Sequence, residues 1–106
     1  MRIAAYTPDL MDRSRITSAV GGAVTVTFVG SPDALVGLAG VDVVVVDLGK
    51  RGTIDALASI VASGVRVVAY GSHVDRALLD AARAAGVDEV LPRSRFFADV
   101  RSFLRA

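Results

Sequence analysis

Apolar residues along this chain gather into short runs whose spacing alternates between the two-residue period of strands and the 3.6-residue period of helices. The first run, residues 3–6, stops at Thr7-Pro8-Asp9. It reads as a strand and a turn, because proline lacks an amide donor and restrains the residue before it. Asp9 can cap a helix from Leu10 to about Val20, with Leu10, Ile16 and Val20 facing inward and Gly21-Gly22 closing it. Residues 23–29 set Val24, Val26 and Phe28 against Thr25 and Thr27, which predicts a strand with one less-buried face near a sheet edge. Ser31-Pro32-Asp33 then signals a second helix carrying Leu35, Val36, Leu38 and Ala39 and ending at Gly40.

Val41-Asp42-Val43-Val44-Val45-Val46-Asp47 is the most informative segment. Consecutive valines cannot alternate between core and water, so both faces of this strand must be covered, as in the middle of a parallel sheet. Thr53 can cap a third helix with Ile54, Leu57, Ala58 and Val61 at helical spacing, closed by Gly64. Residues 65–70 read as another buried strand. Residues 75–85 carry Leu78, Leu79, Ala82 and Ala85 as one helical stripe ended by Gly86, and residues 87–91 form the last strand. Ser94 can cap a final helix in which Phe96, Phe97, Val100, Phe103 and Leu104 share one apolar face.

Strands that alternate with helices through short turns close by right-handed crossovers onto a parallel sheet. The expected architecture is a single α/β domain over residues 1–106, a three-layer, doubly wound, five-stranded parallel sheet of order 2-1-3-4-5, flavodoxin-like. The turn after the first strand lacks the Gly-x-Gly-x-x-Gly of a dinucleotide-binding half.

Composition narrows the functional classes. A chain 53% hydrophobic and 22% charged can bury a core, and its formal net charge of +1 gives no overall attraction to nucleic acid or an acidic membrane. Cysteine is absent, which removes thiol catalysis, disulfides and thiolate zinc sites. No apolar run approaches the roughly 20 residues of a membrane helix, and the N-terminus lacks a signal-peptide pattern. The expectation is a cytoplasmic protein that binds neither membrane nor nucleic acid.

Ligands of such sheets bind beyond the carboxyl ends of the strands, where strand order reverses. The turns there contribute Thr7, Pro8 and Asp9, then Asp47 to Gly52, then Gly71, Ser72 and His73, and finally Pro92, Arg93 and Ser94. Asp47 either caps its own turn or pairs with Arg93, or else serves as a nucleophile or anchor in the cleft. His73, the only histidine, is an acid–base candidate or a solvated loop residue. Ser72 lacks a hydrolase elbow and reads as the cap of the next helix. Arg101 and Arg105, beside Asp99, form either a solvated helix face or a docking surface for an acidic partner.

Two segments resemble the receiver domains of bacterial two-component response regulators, and the likeness spans nearly the whole chain. Val41 to Leu48 is similar to the strand that bears the phosphoacceptor aspartate. Ala85-Gly86-Val87-Asp88-Glu89-Val90-Leu91-Pro92-Arg93 is similar to the Ala-Gly-Ala-Asp run that leads to a lysine. The resemblance implies that Asp47 is the phosphoacceptor, that Mg²⁺ would sit between it and an acidic pair after strand one, and that the lysine position is Arg93. The acidic pair falls on Thr7 and Pro8, leaving Asp9 as the one acid beside them, and the hydroxyl position falls on Gly71 with Ser72 next to it. Asp9 and Asp47 are the metal candidates if Mg²⁺ binds. Arginine keeps the charge but is a planar fork, and the loop Leu48 to Gly52 is shortened.

These departures imply a divergent or pseudo-receiver in which Arg93 pairs permanently with Asp47. The leading expectation is a stand-alone signalling module without enzymatic activity or a resident cofactor. With no effector domain after Ala106, it would act through a protein partner or a homodimer at its last two helices and strand five. The alternatives are a phosphorelay receiver phosphorylated on Asp47 with Mg²⁺, and a small-anion or nucleotide site at the strand-end cleft.

Overall fold

The computed structural model describes residues 1–105; Ala106, and the expectation of no effector domain beyond it, lie outside the described residues. Five strands, β1 (Arg2–Tyr6), β2 (Thr25–Phe28), β3 (Val43–Asp47), β4 (Arg66–Gly71) and β5 (Glu89–Pro92), form one sheet of order β2-β1-β3-β4-β5. Every pairing is parallel. The helices are α1 (Leu10–Val20), α2 (Thr53–Ala62), α3 (Arg76–Ala84), α4 (Arg93–Ala98) and α5 (Val100–Phe103). The fold is the flavodoxin-like one that the strand and helix periods predict.

β3 is buried along its whole length and divides its side chains between two cores. Val44 and Val46 pack with Leu57, Ile60, Leu79 and Ala82 of α2 and α3. Val43 and Val45 pack with Ile16 and Val20 of α1 and with Phe96, Val100 and Leu104 at the C-terminal end. Strand geometry sends successive side chains to opposite faces, so an unbroken valine run needs a helical layer on each side. β2 lies at the sheet edge with alternating exposure, as its threonine–valine pattern predicts.

Several local expectations are corrected. The helix expected after Ser31 is a single 3₁₀ turn, Pro32–Leu35. The chain leaves helical geometry at Val36, and Gly37 takes φ +71°, a left-handed conformation that ends a helix, so the stop falls before Gly40. Leu35 is buried, whereas Val36 and Leu38 are exposed. Leu10 faces solvent, and the inward stripe of α1 is Asp12, Ile16 and Val20. In α2 the buried apolar positions are Ala56, Leu57 and Ile60; Ala58 is exposed.

Three expected caps also differ. Gly52, at φ +86°, precedes α2, and the buried Thr53 hydroxyl instead donates to the Asp47 carbonyl at 2.9 Å. Asp75, not Ser72, caps α3 by accepting the Leu78 amide. Ser94 sits inside the first turn of α4 after Pro92. The final helix is broken at Asp99, whose φ of −153° is not helical. Aspartate has low helix propensity, since its short carboxylate competes for nearby backbone groups. The apolar face survives the break in Phe96, Val100 and Leu104, which remain buried, while Phe97 and Phe103 are half-buried. Among the described residues, no helix is long and apolar enough to cross a membrane.

Candidate functional site

The carboxyl ends of β1, β3 and β4 carry a polar cluster set into an otherwise apolar interior. β3 ends on Asp47, which is 6% exposed and lies in register with Tyr70 of β4. Its Oδ1 accepts the Gly49 amide at 2.9 Å. A Cβ at residue 49 would stand 3.3 Å from that oxygen, so glycine permits this close approach. Burial pushes the Asp47 carboxyl above its ordinary range, while the Gly49 amide and the Lys50 charge pull the other way.

The cation expected to face Asp47 goes elsewhere. Arg93, at the start of α4, grips Asp12 of α1: Nη1 donates to Oδ2 at 2.6 Å, and Nη2 donates to Oδ1. This corrects the expected Arg93–Asp47 pair. Asp12 is 1% exposed, and a carboxylate that buried needs a partner. A two-pronged guanidinium supplies one with matched geometry. The Asp12 bond in turn raises the already high pKa of Arg93, so its charge is permanent. The Tyr70 hydroxyl lies 3.4 Å from Asp12 Oδ2 and 3.3 Å from Thr7 Oγ1. Burial raises the Tyr70 phenol, which stays protonated and serves as a donor. Behind it the ring stacks on Phe96, with centroids 4.9 Å apart and planes within 2°.

The other expected site residues divide. Thr7 is fully buried and joins the Tyr70 cluster, and its carbonyl accepts Arg13 Nε at 2.7 Å. Asp9 is exposed and caps α1 by accepting the Asp12 amide at 3.0 Å, a bond that lowers its pKa. Ser72 and His73 are exposed and line an open cleft with Arg93, Arg15, Ser94 and Phe97. Neither Asp47 nor Asp9 lines that cleft. The hydroxyl position, Gly71, is walled by Leu48 and Leu79; a Cβ there would lie 3.4 Å from Leu48 Cβ.

Asp12 is the residue that sequence reasoning missed. The signal was present: Asp12, Ile16 and Val20 stand at i, i+4 and i+8, so an acid occupies the first inward position of an apolar stripe.

This donor set is poor for Mg²⁺, which demands several oxygen ligands in near-octahedral geometry. Asp12 is committed to Arg93, Asp9 to the helix cap, and Pro8 offers no side-chain oxygen. Among the described residues, no three acidic or histidine side chains gather as a metal-binding group.

The raised Asp47 pKa has a consequence for stability. A folded-state pKa above the unfolded value means that the native protein holds this proton more tightly. The stabilisation is full below the ordinary carboxylate range and is lost as pH rises through the raised value. Asp47→Asn keeps the oxygen that meets the Gly49 amide and cannot ionise. It is expected to exceed the parent in urea-denaturation midpoint at pH 7, with the gap closing below about pH 4. A variant weaker than the parent at pH 7 would show that the charged carboxylate is held favourably.

No family model matches the sequence, and no curated protein matches it. Solved structures do. The phosphorylated cyanobacterial phytochrome response regulator RcpA superposes with a TM-score of 0.80 at 15% identity, covering 95% of this chain and 89% of that one. A CheY-like protein, tadZ, from Pseudomonas aeruginosa PAO1 gives a TM-score of 0.80 at 21% identity, covering 99% and 97%. A response regulator receiver protein from Pseudoalteromonas atlantica gives 0.75 at 14% identity, covering 98% and 97%. With the parallel order 2-1-3-4-5 and an aspartate closing the central strand, the chain has the fold of a response-regulator receiver domain.

Proposed function

We propose that this chain is a receiver-like signalling module that works through protein contacts and whose phosphorylation site is degenerate. The observation that carries the reading is the Asp12–Arg93 pair. In the receiver scheme that the sequence resembles, acids near the end of β1 gather a divalent cation, and a basic residue after β5 holds the phosphoryl group. Here the one buried acid of that region and the basic residue directly after β5 neutralise each other. Phosphoryl transfer depends on positioned positive charge at the transferring group; the pair commits two Arg93 donors to Asp12, so Arg93 acts on Asp47 only through space, as the smallest of the influences on that carboxyl. Gly71 supplies no hydroxyl, and Asp47 is left with a single amide donor.

Incubation with acetyl phosphate and Mg²⁺, followed by intact-mass measurement, tests this directly. The expected result is no phosphoryl adduct under conditions that modify a competent receiver. An adduct that disappears in Asp47→Asn would replace this reading with a working phosphoacceptor.

Output then falls to surfaces, and the face formed by α3, β5, α4 and α5 is the one proposed to meet a protein partner or a second copy. Arg101 on α5 is exposed at the border of that face, beside Val20 of α1 and Val24. Arg101→Glu is expected to weaken self-association or partner binding in sedimentation measurements, since charge complementarity governs such encounters. A strict monomer that binds no partner would remove the interaction reading.

A further inference from the structure

The cleft between α1 and α4 shares Arg93 and its α4 wall with the proposed signalling reading, but its chemistry is one-sided and is not used there. It opens beside the Asp12–Arg93 pair with a volume of about 540 Å³, room for a nucleotide-sized molecule. Its lining combines two guanidiniums, Arg15 and Arg93, with the His73 imidazole, the hydroxyls of Ser72 and Ser94, and the Phe97 ring. Among the described residues, no carboxylate lines it.

The donors are unspent. A guanidinium carries five N–H groups. Arg93 uses two on Asp12, and with 44% of its side chain exposed the others are open to the cleft. Arg15 forms no salt bridge among the described residues; its guanidinium lies over the Phe97 ring at 4.3 Å. Arg93 lies 4.9 Å from the same ring. Asp12 offsets Arg93 from behind, whereas among the described residues no acid in the cleft offsets Arg15, which stands against the same ring. Ser72 Oγ accepts the Val74 amide at 3.4 Å, which leaves its own proton to donate.

We propose that this cleft binds a small phosphate-bearing anion of nucleotide size. Paired guanidinium forks and hydroxyl donors match a tetrahedral oxyanion, which arginine grips through two oxygens at once. The space exceeds what inorganic phosphate fills, and Phe97 and Ala98 supply apolar wall for the body of a larger ligand. Arg93 then has two faces: the inner one is fixed by Asp12, and the outer one meets the ligand. Binding needs neither Mg²⁺ nor Asp47, so this inference stands apart from the fate of the phosphorylation site.

The test uses the full chain in Mg²⁺-free buffer at low salt, titrated with AMP, GMP, inorganic phosphate and adenosine and followed by calorimetry and thermal shift. A ligand that binds only the folded state must raise the melting temperature. AMP or GMP is expected to raise it in the millimolar range or below, with inorganic phosphate weaker and uncharged adenosine without effect. Arg15→Glu, a change on an exposed helix face, is expected to weaken binding at least tenfold while the protein still unfolds cooperatively. The proposal is overturned if none of the phosphates binds, if adenosine binds as well as AMP, or if Arg15→Glu binds like the parent. Equal binding of inorganic phosphate and the nucleotides would overturn the assignment of a nucleotide-sized ligand.

Discussion

Phe96→Ala is expected to cost about 3–5 kcal/mol of folding stability, a loss at the top of the range for a single core truncation. Phe96 is fully buried, stacks on Tyr70 at 4.9 Å and meets Phe97 edge-on at the same centroid distance. Truncation removes the transfer free energy of a phenyl ring and leaves a void that β4 and α1 cannot both close, because the strand is fixed by hydrogen bonds on each side. It also removes the backing that holds the Tyr70 hydroxyl near Asp12. Urea denaturation should show a lower midpoint at unchanged slope. A loss below about 1 kcal/mol would mean that the aromatic cluster repacks freely instead of holding one close-packed arrangement.

Arg93→Ala is expected to cost about 2–3 kcal/mol. Breaking a buried ion pair from one side costs roughly 3–5 kcal/mol, because the remaining charge is stranded. The lower figure applies because Arg93 is 44% exposed on its side chain, so water can reach Asp12 once the guanidinium is gone. The pair itself need not be strongly stabilising. Replacing both members with apolar residues, Asp12→Leu with Arg93→Met, is expected to recover most of the loss. Asp12→Leu, Arg93→Met and the double variant form a cycle with the parent whose coupling should be at least about 1 kcal/mol. Additive effects would mean that Asp12 and Arg93 do not depend on each other, and the proposed occupation of the receiver site would lose its basis. The same Arg93→Ala protein is worth assaying with acetyl phosphate, since it uncouples the two groups.

The architecture was legible in the chain because two periods carry it. Four consecutive valines ending on Asp47 can satisfy only a strand covered on both faces, so the centre of the sheet and the position of that aspartate follow from local pattern alone. The alternation of Val24, Val26 and Phe28 with threonine placed β2 at an edge for the same reason. Local chemistry was less decisive where two signals competed. Ser31-Pro32 begins a helix, but Gly37 in a left-handed conformation ends it within a turn. Asp99 interrupts an apolar stripe that periodicity alone would make continuous.

The partner of Arg93 was decided only in three dimensions. Its sequence separation from Asp47 is 46 residues and from Asp12 is 81; the helical stripe marks Asp12 as inward-facing, but nothing in the amino-acid order brings Arg93 to it in preference to Asp47. The choice follows from packing. The stripe of Ile16 and Val20 turns Asp12 inward onto Tyr70, and a carboxylate so enclosed binds the nearest guanidinium more strongly than one already served by the Gly49 amide. Sequence thus determined the sheet, its central strand and the acid at its tip, because these depend on periods of two and 3.6 residues. Tertiary structure alone decided which charges meet, because that depends on which enclosed group most lacks water.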